Sequence, residues 1–292
     1  MMIATLERPE STNESELTKT NVEDASSIAL EDLFRRRRLN LASMSMMRWL
    51  LFLVYLPIGC VLSIGRFLFG FTIIMLAPRK WRRSLVRWCC GIIVRLPNKL
   101  DFPESGAFLM GNHSCYLDRW ILPAACSEKR EFATVVWHEV PNLIQWLARP
   151  VIRVYGRGRN REFLKQVREQ LKQRNVILFP EGAVTDTKCG LLKFEKTAFA
   201  LKRPIYLVAI RYRRPLSFVQ PKALSTNLFW ETAIELFQPW TTVELIPIGE
   251  FKQLEGESPD SYARRAQQAL ATSLAIYATN WSRGDRHRLL FE

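Results

Sequence analysis

The stretch AFLMGNHSCYLDRW, residues 107–120, joins four apolar residues to a glycine and then sets His113 five positions ahead of Asp118. On one regular helix, at about 100° per residue, the two side chains would stand roughly 140° apart, on different faces. They cooperate only if His113 lies in a loop before a helix and Asp118 on its first or second turn. Imidazole and carboxylate can then fold together as a general-base pair. Ala107–Met110 reads as a strand ending at Gly111. A second stretch repeats the arrangement: NVILFPEGAVTD, residues 175–186, runs from an apolar strand into a turn at Gly182. Glycine permits tight turns there, and turn amides can cradle a phosphate.

Further out, short apolar runs at Phe132–Trp137, Pro204–Ile210 and Val243–Ile248 read as strands beside Ala107–Met110 and Asn175–Phe179. Between them, Arg161–Arg174 places Phe163, Leu164, Val167 and Leu171 on one helical face and its bases on the other. Strand, helix and strand in this rhythm predict an α/β domain with a largely parallel sheet, with its chemistry on loops beyond the strand ends. Ser258-Pro259-Asp260 is a helix start, and Tyr262, Ala266, Leu270, Leu274 and Tyr277 follow at helical spacing.

The net charge of +14 points to an anionic partner: nucleic acid, a phosphate-bearing substrate or an anionic membrane face. Residues 1–32 hold eight acidic side chains against Arg8 and Lys19, so they carry −6 and the rest of the chain +20. The densest bases, Arg35 to Arg38 with Arg48 and then Arg79, Lys80, Arg82, Arg83 and Arg87, flank WLLFLVYLPIGCVLSIGRFLFGFTIIMLAP, residues 49–78. Each base near an anionic leaflet contributes on the order of 1 kcal/mol, so the charge fits a membrane anchor. With no nucleic-acid-binding motif in the chain, nucleic acid is not expected as a partner.

The apolar run exceeds the roughly 20 residues of a single span but carries Pro57 and Arg66. A proline kinks or breaks a helix, and an arginine at the bilayer centre costs about 2.5–3.5 kcal/mol on insertion scales. Two short helices joined near Pro57 and Gly59 would let Arg66 rise to the headgroups, as a hairpin in one leaflet with both flanks cytosolic. The competing reading is a buried helical hairpin of a soluble protein. Six cysteines without a C-x-x-C pair or a matching histidine cluster indicate neither zinc nor disulfides, so no metal site is expected and a reducing, cytosol-facing environment fits. The expected layout is a disordered acidic tail over 1–40, a membrane-associated helical hairpin and basic linker over 41–99, the α/β domain over 100–255, and a C-terminal helix with a basic tail over 256–292.

Together these residues resemble a known family, the membrane-bound glycerolipid acyltransferases of the PlsC type. Its first motif, N-H-x4-D, stands as Asn112-His113-Ser114-Cys115-Tyr116-Leu117-Asp118, and its third, F-P-E-G-T, as Phe179-Pro180-Glu181-Gly182 with Ala183 in place of the usual threonine. Gly190 to Phe199 is similar to its L-L-x-F-K-x-G-A-F run, and Pro204–Ile210 to its fourth, apolar motif. Residues 50–250 carry the resemblance. It implies transfer of a fatty acyl group from acyl-CoA to the hydroxyl of a lysophospholipid or glycerolipid precursor, with acyl-CoA as co-substrate and no cofactor. His113 would be the general base and Asp118 its orienting partner, while Glu181 and Gly182 shape the acceptor site. A second-motif arginine would bind phosphate; RVYGRGRNR, residues 153–161, supplies Arg157, with Arg159 in reserve.

Within the family, the long apolar segment and PWTTVELIPIGEF, residues 239–251, are similar to the branch called ancient ubiquitous protein. That resemblance implies the endoplasmic reticulum membrane and lipid droplet, on the cytosolic face, with ubiquitination and ER-associated degradation components as partners. It also implies an alternative role, a non-catalytic or weakly catalytic scaffold. Cys115 permits a Cys–His nucleophile reading, and Asn112 or Ser114 could instead be a plain helix cap.

Overall fold

The computed structural model describes residues 28–34, 44–127, 130–137, 150–154, 160–221 and 227–291. A 3-10 turn at Leu30–Leu33 precedes α1 (Met46–Gly65), a π turn at Arg66–Gly70, α2 (Phe71–Leu76) and α3 (Arg79–Cys89). Strands β1 (Ile92–Arg95) and β2 (Phe108–Met110), helix α4 (Asp118–Ile121), and strands β3 (Phe132–Trp137) and β4 (Val151–Val154) follow. Then come α5 (Asn160–Leu171), β5 (Asn175–Leu178), β6 (Gly190–Leu191), β7 (Ile205–Arg213), α6 (Leu228–Phe237), β8 (Thr241–Phe251), α7 (Pro259–Leu274), β9 (Tyr277–Ala278) and α8 (Arg283–Phe291).

Seven strands form one sheet in the order β1-β8-β7-β2-β5-β3-β4, and β6 pairs with β9 in a small second one. Every neighbouring pair in the large sheet is parallel except β7 with β8. The α/β class with a largely parallel sheet is therefore what the chain adopts. Side chains alternate along β2 as a strand requires. Phe108 and Met110 join Val167 and Leu171 of α5 and Tyr262, Ala266 and Leu270 of α7 on one face. Leu109 joins Ile121, Leu122, Val208 and Ile210 on the other. Helices thus cover both faces, which is why the central strands read as continuous apolar runs.

All five strands expected from the sequence are present, and β7 and β8 extend further, to Arg213 and Phe251. β1 and β4 had not been expected. IIVR and VIRV are four residues long and each carries an arginine, too little apolar pattern to separate from a loop. β1 draws part of the expected linker into the sheet, and α7 and β9 pack into the core of the α/β body.

The N-terminal apolar region differs from expectation in where it turns. The helix does not break at Pro57, which lies inside α1. Contacts from α6 on both sides of the proline hold the path: the Tyr55 hydroxyl donates to Phe237 O at 2.7 Å and the Ser63 hydroxyl to Ala233 O at 2.9 Å. The chain reverses instead at Ala77–Pro78, and α3 returns alongside the π turn. Arg66 is held by the protein rather than left to seek water alone. Its guanidinium donates to Leu236 O at 3.0 Å, Gln238 O at 2.5 Å and Pro239 O at 2.8 Å. The unpaired carbonyls and negative dipole end of α6 give a cation a better site inside the protein than the expected reading allowed.

The ends of the chain also depart from expectation. Residues 28–34 are packed rather than disordered. Leu33 and Phe34 are buried against Ala183, Val184 and Leu192, with Leu289 of α8 beside them. The Trp281 indole donates to Ile28 O at 2.9 Å, so the start of the described chain and its basic C-terminal segment are tied together.

Candidate active site

Met110 pairs with Leu178 across β2 and β5, so the loops beginning at Gly111 and Phe179 leave the sheet side by side at its C-terminal edge. In parallel α/β sheets this is the edge that binds ligands. Gly111 is required by a close approach: a Cβ there would lie 2.7 Å from Val208 O of β7. Asn112 then continues the pairing with β7 by side chain. Its amide donates to Ile210 O at 2.9 Å and its carbonyl accepts from Ile210 N at 2.7 Å. Asn112 is therefore a splice between loop and sheet, not a helix cap.

This splice places His113 at the head of the loop and Asp118 at the first residue of α4, the arrangement the five-residue spacing demanded. His113 Nδ1 lies 2.8 Å from Asp118 Oδ2. Asp118 is fully buried, and the same oxygen accepts from Ser114 N at 2.7 Å and Cys115 N at 2.9 Å. Its other oxygen accepts from the Tyr212 hydroxyl at the end of β7. A carboxylate taking donors on every side has no proton to give, so Nδ1 carries the hydrogen and Nε2 is left as the acceptor. The imidazole stacks on Phe179, with ring centres 4.4 Å apart and planes at 14°. Its side chain is 19% exposed, and among the described residues Nε2 has no hydrogen-bond partner.

Glu181 occupies a different place from the one expected. It was assigned to the acceptor, but its carboxylate is fully buried behind the histidine loop. It accepts from His113 N at 2.8 Å, Leu192 N at 3.1 Å and the Thr185 hydroxyl at 3.0 Å. It is the clasp between the two motif loops. Gly182 adopts φ +65, a left-handed conformation that glycine supplies to the turn read there. Its N–H is already given to Phe179 O at 3.0 Å, so that amide is not free for a phosphate. Arg157 and Arg159 lie outside the described residues. Cys115 is no nucleophile: its thiol, pushed well up by burial, donates to Glu235 Oε1 at 3.3 Å.

Sequence reasoning missed Thr185 and Tyr212. Thr185 sits two residues beyond Ala183, where the family's threonine was sought. Tyr212 continues the alternation of Val208 and Ile210 along β7, which would have exposed it had the strand been followed past Ile210. Burial and the charge of Asp118 push its phenol well up, so it remains a donor.

Burial also pushes Glu181 up to about 7, against the pull of its three donors. A carboxyl with a folded pKa above its unfolded value of 4.5 stabilises the fold most below pH 4.5, and that contribution fades as pH rises through about 7. We expect the thermal midpoint to fall between pH 5 and pH 8, this one group contributing up to about 3 kcal/mol. Glu181→Gln should flatten that slope and lower stability at pH 5, because its amide hydrogens would face Leu192 N–H. Melting curves across the range check this; a parallel slope in the variant would exclude Glu181 as its source.

Residues 93–213 match the family model described as Acyltransferase. More particularly, the chain is similar to proteins named lipid droplet-regulating VLDL assembly factor AUP1, the ancient ubiquitous protein. The Xenopus laevis protein is 27% identical over 251 residues, covering 81% of this chain and 60% of that one. The Homo sapiens protein is 27% identical over 250 residues, covering 81% and 58%. Lysophosphatidylcholine acyltransferase 2B of Rattus norvegicus is 24% identical over 224 residues, covering 70% and 43%. The crystal structure of the 1-acyl-sn-glycerophosphate acyltransferase PlsC from Thermotoga maritima aligns with a TM-score of 0.44 at 14% identity, covering 79% of this chain and 95% of that one. This chain spans about 60% of the length of the first of these relatives.

Proposed function

We propose that the chain is a membrane-bound enzyme that transfers a fatty acyl group from acyl-CoA to the hydroxyl of a lysophospholipid or glycerolipid precursor. The observation that carries this reading is the His113–Asp118 contact of 2.8 Å with Nε2 turned away from the carboxylate and partly exposed. Nε2 takes the proton of the acceptor hydroxyl as its oxygen attacks the thioester carbonyl. Asp118 holds the tautomer and stabilises the imidazolium. The tetrahedral intermediate collapses with cleavage of the carbon–sulfur bond, and the imidazolium returns the proton to the departing CoA thiolate. No acyl-enzyme forms. Arg157 is proposed for the acceptor's phosphate. It follows β4, whose C-terminal end points the same way as those of β2 and β5. The proposed location is the cytosolic face of the endoplasmic reticulum membrane and the lipid droplet.

The similarity to proteins named lipid droplet-regulating VLDL assembly factor AUP1 favours a second reading, a weakly catalytic or non-catalytic scaffold with ubiquitination components as partners. The cavity beside the histidine loop, lined by Ser114, Tyr116, Thr185, Asp186, Glu231 and Glu235, holds about 10 Å³, room for about one water. His113 does not line this cavity, so its size does not decide access to Nε2. The test is purified full-length chain in micelles with labelled acyl-CoA and a panel of lysophospholipids, lysophosphatidic acid and glycerol 3-phosphate. Labelled diacyl or monoacyl product from any acceptor supports the enzyme; no product from all of them supports the scaffold.

A further inference from the structure

Helix α6 is turned inside out for a protein in water. Its carboxylates, Glu231 and Glu235, face inward at 1% and 4% exposure, while Phe229 and Trp230 face outward at 54% and 57%. Trp240, just beyond its end, is 50% exposed. Such a face marks an interaction surface rather than scattered apolar residues. It is also continuous with the apolar segment of the chain. Phe67 meets Phe229 edge to face at 5.4 Å, and Phe229 meets Trp230 at 5.5 Å.

Met46–Gly70 is long and apolar enough to cross a membrane by length and composition, and most of it is uncovered. Yet α1 is not an independent rod. Tyr55, Ser63 and Phe67 meet Phe237, Ala233 and Phe229 in turn, so the two helices run antiparallel, and Arg66 closes the end of α6. If α1 stood upright in a bilayer, α6 would be carried into the hydrocarbon beside it. At about 1.5 Å per residue, ten-residue α6 reaches about 15 Å, half of a core of about 30 Å. The 20-residue α1, at about 30 Å, is longer than one leaflet is deep, so the pair fits a single leaflet only by lying in its plane, as a plate under the domain.

We propose that α6 and Trp240 form a second membrane-contact element, inserting Phe229, Trp230 and Trp240 into the leaflet that holds α1. Aromatic side chains suit the boundary between headgroups and acyl chains. The proposal rests on membrane attachment of α1 and is independent of catalysis at His113. Its consequence is positional. The inner face of α6 supplies Glu231, Thr232 and Glu235 to the cavity beside the histidine loop, so one helix thickness separates that cavity from lipid.

The experiment places an environment-sensitive fluorophore on single cysteines in the full chain, with Cys60→Ser and Cys189→Ser removing the accessible thiols. Probes go at Val61→Cys in α1, Trp230→Cys, Trp240→Cys, and Lys172→Cys, at the exposed end of α5, as a water-facing control. The chain is bound to phosphatidylcholine vesicles whose acyl chains are brominated. Quenching at 61, 230 and 240 but not at 172 is expected. Quenching at 61 alone would overturn the proposal, as would no quenching at any position, which would also remove the attachment it rests on. Blue-shifted but unquenched emission at 230 and 240 that grows with protein concentration would assign the face to a second copy and overturn it too. Phe229→Glu with Trp230→Glu, both surface changes, should weaken vesicle partitioning at least about tenfold with an unchanged thermal midpoint. Unaltered partitioning would count against lipid contact.

Discussion

His113→Ala is expected to lower acyl transfer by about 100-fold to 10,000-fold while leaving the fold intact. The ring is partly exposed and rests on Phe179; its removal takes one donor from Asp118, which keeps Ser114 N, Cys115 N and the Tyr212 hydroxyl, while the His113 backbone still donates to Glu181. Asp118→Asn should behave differently. Asp118 accepts from two loop amides, an imidazole and a phenol, and an asparagine must turn donor hydrogens toward one side of that cage. Leaving buried donors unsatisfied costs about 1–3 kcal/mol, so this variant loses stability as well as rate. Rates must therefore be normalised to folded protein. On that basis the double variant should be little slower than His113→Ala alone, because residues acting as a unit are strongly non-additive. Activity that survives both changes would make His113 and Asp118 structural and leave the scaffold reading standing.

The spacing of His113 and Asp118 was enough to place one in a loop and the other on the first turn of a helix, because no other local geometry lets them meet. The apolar runs at Phe108 and Asn175 likewise revealed the two central strands, since a strand buried on both faces has no polar alternation to obscure it. What the pattern could not show is partner choice. Glu181 was assigned to substrate because a carboxylate beside a glycine turn looks available. Its three donors come from positions 113, 185 and 192, and nothing in FPEG discloses that they converge.

Arg66 shows the same limit from the opposite direction. Within its own apolar neighbourhood it reads as a charge seeking water. Its acceptors lie about 170 residues away, at the C-terminal end of a helix that the sequence had not marked as its neighbour. Pro57 follows from this. A helix braced along α6 need not break at a missing N–H, whereas the expected hairpin treated the segment as standing alone. Short β1 and β4 were invisible for a simpler reason: four residues with an arginine carry too little periodicity to register.

The buried pair between Arg214 and Glu235 should give the largest stability effect of any single replacement in the domain. Both side chains are nearly inaccessible, at 7% and 4%. They meet through two hydrogen bonds, Arg214 Nη2 to Glu235 Oε1 and Arg214 Nε to Glu235 Oε2, the latter at 3.2 Å. The guanidinium also lies over the Tyr212 ring at 4.6 Å, and Cys115 donates to Glu235. The pair therefore joins the end of β7, where Tyr212 supports Asp118, to α6 with its outward aromatic face. Glu235→Ala strands the guanidinium in a site with little water, a loss of about 3–5 kcal/mol. At roughly 2–4 °C per kcal/mol for a chain of this size, the thermal midpoint should fall by about 6 °C or more. Replacing both members with apolar residues of similar volume, Arg214→Met with Glu235→Leu, removes the stranded charge and should recover most of that loss. If the double variant is as unstable as Glu235→Ala, packing around α6 rather than the unpaired charge sets the cost. If the double variant regains stability but acyl transfer stays low, then the pair also acts on the dyad through Tyr212, and Tyr212→Phe should reproduce that rate defect without the stability loss.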